Sequence, residues 1–293
     1  MVQTQAPDLM ANGASFALRY LIKRVRFGLR LSGSRPAITY AAYRTASTAV
    51  HHAIRSAGLG VASKAHMLAP ANLVRCVAQR QRFAHASTAI PKSCHVGDWA
   101  VRLGIIEPRR EADFVIMVRD PWAVAHSIFV LSAPRVHPEF SVEGMRASDH
   151  ASLVHRAESI IFERFPRDLM IRWMQDDAAE ALAWSPLDAA FDAEAGSGTS
   201  EHGPWRILVL RSDVPDERKS TALGDFFGRL RIKVIPKNGS LGQSAASPRL
   251  ADIAREAIAR RPDVVAATYE TQFCRHYWTD RDRAAMVQRW SVR

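Results

Sequence analysis

The chain has 293 residues, and 40 Lys and Arg against 29 Asp and Glu give it a formal net charge of +11. With 47% hydrophobic and 24% charged residues it is long and apolar enough for a real core, which excludes collagen-like, fully disordered and disulfide-framework classes. Its three cysteines, Cys76, Cys94 and Cys274, stand too far apart for a zinc set or a disulfide scaffold, pointing to a reducing compartment and to chemistry without a metal.

In chain order, residues 1–35 come first, with six basic residues (Arg19, Lys23, Arg24, Arg26, Arg30, Arg35) against one acid, Asp8. From Phe16 to Leu31 apolar residues recur at helical spacing with basic ones between, a pattern that suits an anionic membrane surface or an amphipathic helix packed on the domain. Apolar stretches elsewhere fall short of the roughly 20 residues needed to span a membrane. No aromatic-basic interleaving suggests nucleic acid. The expected organisation is this basic segment, 1–35, followed by one α/β domain, 36–293.

From Ala37 onward strand-like runs alternate with helical stretches, the pattern of parallel strands joined by crossover helices. Ala37–Ala41, Asp113–Val118 and Trp205–Leu210 read as buried strands, and the weaker run Gly60–Leu68 as a fourth. In the three clear strands polar chemistry begins where the apolar run stops, the place where open α/β sheets bind ligands. Ser148–Ala183 reads as mostly helical, with a break at Pro166. Ala193–Pro204, rich in Gly and Ser, reads as a mobile connection, Pro236–Pro248 as a loop, and Arg249–Arg260 as a helix.

Two strand ends carry the candidate chemistry. Tyr43-Arg44-Thr45-Ala46-Ser47-Thr48 sets a cation, hydroxyls and successive backbone N–H groups at a helix start, which makes an anion cradle or, with no ligand, a Ser/Thr capping turn. It lacks the glycines and lysine of a Walker A loop, which disfavours an ordinary ATPase. Arg119-Asp120-Pro121-Trp122 leads into a second helix, where Arg119 and Ser127, eight residues apart, can reach one phosphate; the alternative is a structural Arg119–Asp pair at a helix start.

Together these loops resemble the sulfotransferases that use 3′-phosphoadenosine 5′-phosphosulfate (PAPS), and most nearly the bacterial sulfotransferase-like proteins assigned to capsular polysaccharide synthesis. Arg44-Thr45-Ala46-Ser47-Thr48 looks like the family's 5′-phosphosulfate loop, and Arg119 with Ser127 like its 3′-phosphate pair. The segments Val209-Leu210-Arg211-Ser212-Asp213, Leu223–Gly228 and Tyr269–Thr279 are similar to later family segments. The resemblance covers about Ala37 to Gly228. It departs at Ala46, where the family most often has Gly, and in the Gly-rich basic loop over the adenosine, for which Ile235–Ser240 is the stand-in.

The resemblance implies a P-loop NTPase-like sulfotransferase fold, a mainly parallel sheet flanked by helices. It also implies carbohydrate sulfation: transfer of a sulfuryl group from PAPS to a hydroxyl acceptor, a saccharide or polysaccharide, in the cytoplasm or at the inner face of the membrane. Lys64-Ala65-His66 resembles the family's Lys-Thr-His, so His66 is the expected general base, with His95 as its rival and Lys64 and Arg44 assisting. Arg44, Thr45, Ala46, Ser47, Thr48, Arg119 and Ser127 are the expected donor-binding residues, with no metal. A nucleotide-dependent phosphotransferase of P-loop ancestry and a catalytically silent membrane-surface scaffold are the competing readings. Trp173 and Trp184 read as core or acceptor-groove walls, and Asp176-Asp177 as a solvated helix face.

Overall fold

The computed structural model describes residues 35–59, 62–73, 94–164, 168–229, 232–235 and 247–292. The basic segment up to residue 34, the break at Pro166, and residues 236–246 of the loop Pro236–Pro248, with most of the stand-in Ile235–Ser240, lie outside the described residues.

Five strands form one sheet: β1 (Ala37–Ala41), β2 (Ala62–Ala65), β3 (Ala112–Val118), β4 (Ser197–His202) and β5 (Trp205–Arg211), in the order β2-β1-β3-β5-β4. The first four in that order run parallel, and β4 closes the edge antiparallel to β5. The helices are α1 (Ser47–Ser56), α2 (Cys94–Val101), α3 (Pro121–Val136), α4 (Val142–Ala147), α5 (His150–Ser159), α6 (Leu169–Arg172) and α7 (Ala179–Leu182). They continue as α8 (Asp216–Phe227), α9 (Ser247–Ala259), α10 (Pro262–Tyr269), α11 (Gln272–Tyr277) and α12 (Asp280–Ser291). The chain is thus an α/β protein with a mostly parallel sheet between helical layers.

The apolar strands are buried on both faces, as parallel sheets require. Alternation along β3 sends Phe114, Ile116 and Val118 to a large core with Trp122 and Phe129 of α3 and Ile253 and Ala257 of α9. The intervening Val115 and Met117 face Val50 and Ile54 of α1 and Leu223 of α8. The helices after β1 and β3 therefore lie on opposite faces. Because β2 pairs on one side of β1 and β3 on the other, the strand order reverses between β1 and β3, and a crevice opens between the loops at their carboxyl ends.

Two expectations are corrected. Ala193–Pro204 is not a mobile connection: Ser197–His202 pairs residue by residue with β5, from Ser197 opposite Leu210 to His202 opposite Trp205. Gly203, at φ 56°, makes the turn with Pro204. An edge strand that bonds through its backbone needs no apolar face, and at Gly198 a Cβ would stand 2.3 Å from the Ala190 carbonyl oxygen. Asp177 is not on a solvated face either, being fully buried while Asp176 is exposed. It lies in a π-helical turn, Trp173–Ala178, whose wider winding rotates residues away from the positions that a 3.6 period assigns.

Candidate site at the carboxyl ends of β1 and β3

Between β1 and α1 the backbone folds tightly, with Arg44 at φ 67° and Ala46 at φ 59°. Left-handed backbone costs an L-residue about 1–2 kcal/mol, and two of the four non-glycine residues that adopt it among the described residues fall in this loop. Thr45 stabilises the turn, its buried hydroxyl donating to the Ala42 carbonyl at 2.9 Å. The Ser/Thr capping alternative does not hold: the residue at the cap is Ala46, which makes no side-chain cap bond, and Ser47 is already the first helical residue. A left-handed residue leading into a helix turns successive N–H groups toward one point, and these first-turn donors of α1 carry the positive end of the helix dipole.

The second loop reaches the first directly. Arg119, just past β3, donates from Nη1 to the Arg44 carbonyl oxygen. The Arg44 side chain in turn donates from Nε to Ser127 Oγ at 2.9 Å. Asp120 does not pair with Arg119 through a hydrogen bond. It caps α3, Oδ1 accepting from Trp122 N–H at 2.9 Å and from the Tyr269 hydroxyl at 2.7 Å, and Oδ2 accepts from Trp290 Nε1 at 2.8 Å. Pro121 occupies the first turn of α3, where its missing N–H leaves no helix bond unmade.

Two guanidinium groups therefore share one crevice, and among the described residues neither forms an ion pair with an acid. Burial lowers the pKa of Arg44 below the usual arginine value. For Arg119 burial and the neighbouring Arg44 charge act in the same direction, partly offset by Asp120 and Asp213. Such an arrangement favours an anion that accepts from both forks.

On the β2 side, Lys64 Nζ donates to Thr48 Oγ1 at 3.0 Å, tying the strand to the start of α1. His66 follows β2 directly and is buried. Its Nδ1 lies 2.7 Å from the Ala41 carbonyl oxygen, which can only accept, so Nδ1 carries the proton and base chemistry falls to Nε2. The ring stacks on Tyr43 with centroids 4.4 Å apart. Thus β1, β2 and β3 bring Arg44, Thr45, Ala46, Ser47, Thr48, Lys64, His66, Arg119 and Ser127 to one end of the sheet. The His95 side chain lies outside the described residues.

Sequence reasoning missed Asp98 and the burial of Asp177, both carboxylates being fully buried, the first bonded to His66 and the second to the segment that follows it. Asp98 Oδ1 accepts from His66 N–H at 2.8 Å. Asp177 accepts from Leu68 N–H at 2.8 Å, Ala69 N–H at 3.3 Å, Asn72 Nδ2 at 2.8 Å and the Tyr40 hydroxyl. Burial pushes the Asp177 carboxyl above the ordinary carboxylate range, against the lowering effect of these donors. The readable signal for Asp98 was a carboxylate in an otherwise apolar stretch, Asp98-Trp99-Ala100-Val101; Asp177, preceded by Gln175 and Asp176, carried none. Trp173 and Trp184 are core residues. An open groove of about 700 Å³ along β4 and α8 is lined by none of the site residues.

Comparison of the chain with family models, with curated proteins and with solved structures gives no match.

Proposed function

We propose that the chain is a sulfotransferase of the P-loop-like α/β type, moving the sulfuryl group of PAPS to a hydroxyl of a saccharide acceptor. The observation that carries this reading is the pair of guanidinium groups at the strand-order reversal, Arg119 bonded to the Arg44 carbonyl and Arg44 to Ser127, beside a helix start with no side-chain cap. A doubly phosphorylated donor with a third anionic group supplies the negative charge that such a crevice lacks. ATP offers no 3′-phosphate for Arg119 and Ser127.

In the proposed step the acceptor oxygen attacks sulfur in line. A new O–S bond forms as the bond from sulfur to the bridging phosphate oxygen breaks, and 3′-phosphoadenosine 5′-phosphate leaves with that electron pair. His66 Nε2 takes the acceptor proton. Arg44, the N–H groups of residues 45–48 and Lys64 stabilise the charge gathering on the bridging oxygen, while Arg119 and Ser127 hold the far phosphate. The Thr45 hydroxyl, committed to Ala42, leaves that residue its backbone N–H as its contribution.

Calorimetric titration with 3′-phosphoadenosine 5′-phosphate, 5′-AMP and ATP–Mg²⁺ tests the reading. Micromolar binding of the 3′-phosphorylated nucleotide with much weaker binding of the other two is expected, since a phosphate held by a paired Arg contributes several kcal/mol. Preference for ATP–Mg²⁺ points to a phosphotransferase and overturns it, as does no binding at all.

A further inference from the structure

His66 is held by several separate parts of the chain. Its N–H donates to Asp98 of α2 at 2.8 Å, and its carbonyl oxygen accepts from Trp173 Nε1 at 2.6 Å. Its ring is oriented by Ala41 at 2.7 Å and stacked on Tyr43 at 4.4 Å. The π-helical turn that supplies Trp173 also supplies Asp177, whose carboxylate fixes the N–H groups of Leu68 and Ala69, two and three residues after the histidine. Tyr40 braces the same turn, its ring 4.7 Å from that of Trp173.

Burying two carboxylates next to one short segment is unfavourable for stability compared with apolar residues of the same size. Together with the Trp173 indole, the Asp98 carboxylate leaves the His66 N–H and C=O both spoken for, and so one position for the side chain. A π-turn inside a helix carries a similar implication, because it is a less favourable winding that persists where it aims particular side chains.

We propose that Asp98 and Trp173 are positioning residues for His66: they clamp its backbone N–H and C=O, so that the ring set by Ala41 keeps Nε2 in line for proton transfer. This rests on the reading of His66 as the base. Reacting groups must be held to a fraction of an ångström, and a displacement of about 1 Å costs roughly 100-fold in rate. Neither residue touches donor or acceptor in this scheme.

The test uses the full chain labelled with ¹⁵N-histidine. The Nδ1–H resonance of His66 is identified by its loss in His66→Ala, and sulfate release from PAPS is followed with water as acceptor. Trp173→Phe keeps an aromatic ring at this buried position, though a smaller one, and removes the donor to the His66 carbonyl. It is expected to shift or broaden the resonance and slow sulfate release roughly 10- to 100-fold, with affinity for 3′-phosphoadenosine 5′-phosphate within about twofold. Asp98→Ala should do the same, and Asp98→Asn, whose amide oxygen still accepts from the His66 N–H, should restore most of the rate. If Trp173→Phe and Asp98→Ala leave both resonance and rate unchanged and lower only the melting temperature, the clamp is structural and the proposal is overturned. Wild-type sulfate release by His66→Ala overturns the base assignment instead.

Discussion

Arg119→Ala separates a donor site from a structural turn. Arg119 spends one Nη1 hydrogen on the Arg44 carbonyl and forms no ion pair among the described residues, which leaves the other edge of its fork for a phosphate. A charge-assisted hydrogen bond contributes about 1.5–3 kcal/mol, and a bidentate contact makes two of them. Taking the lower end, because Arg119 is only partly buried, the loss is about 3 kcal/mol, or at least roughly 100-fold in Kd at 1.4 kcal/mol per decade. Arg119→Lys keeps a charge without the fork and should fall between wild type and Ala. The assay is calorimetric titration with 3′-phosphoadenosine 5′-phosphate beside 5′-AMP, whose affinity should hardly change because it lacks the phosphate concerned. The substitution also strips a donor from the Arg44 carbonyl, an effect of about 1 kcal/mol that a melting curve will register as a few degrees. A Kd for the 3′-phosphorylated nucleotide within threefold of wild type, in a folded variant, would refute the assignment of Arg119 to the far phosphate.

Three further outcomes follow from the same geometry. Asp177→Ala leaves the Tyr40 hydroxyl, two backbone N–H groups and Asn72 without their shared acceptor, so stability should fall by at least about 3 kcal/mol, and a melting temperature within 2 °C of wild type would contradict it. Ala46→Gly removes the strain of a left-handed alanine but adds freedom to the unfolded chain; the balance should raise the melting temperature by about 1–2 °C, and a clear fall would show that the φ is not strained. Burial and the charges of Lys64, His52 and Arg55 depress His51 to about 4, below its ordinary value of 6.5. The unfolded state therefore binds more protons between these values, and the stability owed to neutral His51 is whole above pH 6.5 and lost as pH falls toward 4. His51→Gln should flatten thermal stability between pH 7 and pH 5, and an unchanged pH slope would exclude this origin.

The strands β1, β3 and β5 could be read in advance because each is a short run of apolar, largely β-branched or aromatic residues buried on both faces, and burial is what such runs encode. The start of α3 was equally open, since a proline after an aspartate fits the first turn of a helix and little else. The order of the strands was not readable. It depends on pairings between residues far apart, such as Ala41 with Met117 and Val118 with Arg211, and no local pattern specifies them. The edge strand β4 was hidden because its cohesion lies in backbone bonds, with side chains that read as a linker. Asp177 was hidden because a π-turn changes the phase by which inward and outward positions are counted. The site residues at the strand ends were legible as types, a cation here and a hydroxyl there. That Arg44 would bond Ser127, and Asp120 would serve α12 and Tyr269 rather than its neighbour Arg119, belongs to tertiary packing.

The reversal of strand order between β1 and β3 also bears on how the crevice comes into being during folding. Its walls are joined only once Ala37–Ala41 has found Asp113–Met117, some 75 residues downstream, and a pairing of that span forms late and slowly compared with local structure. A nascent chain that has emerged as far as α2 already contains the whole first loop, yet it has no partner for the Arg44 carbonyl and no Ser127. Capture of an anion across both loops would therefore report the joining of β1 to β3, and a nucleotide bridging them would act as a folding ligand, holding together strands that lie far apart in sequence.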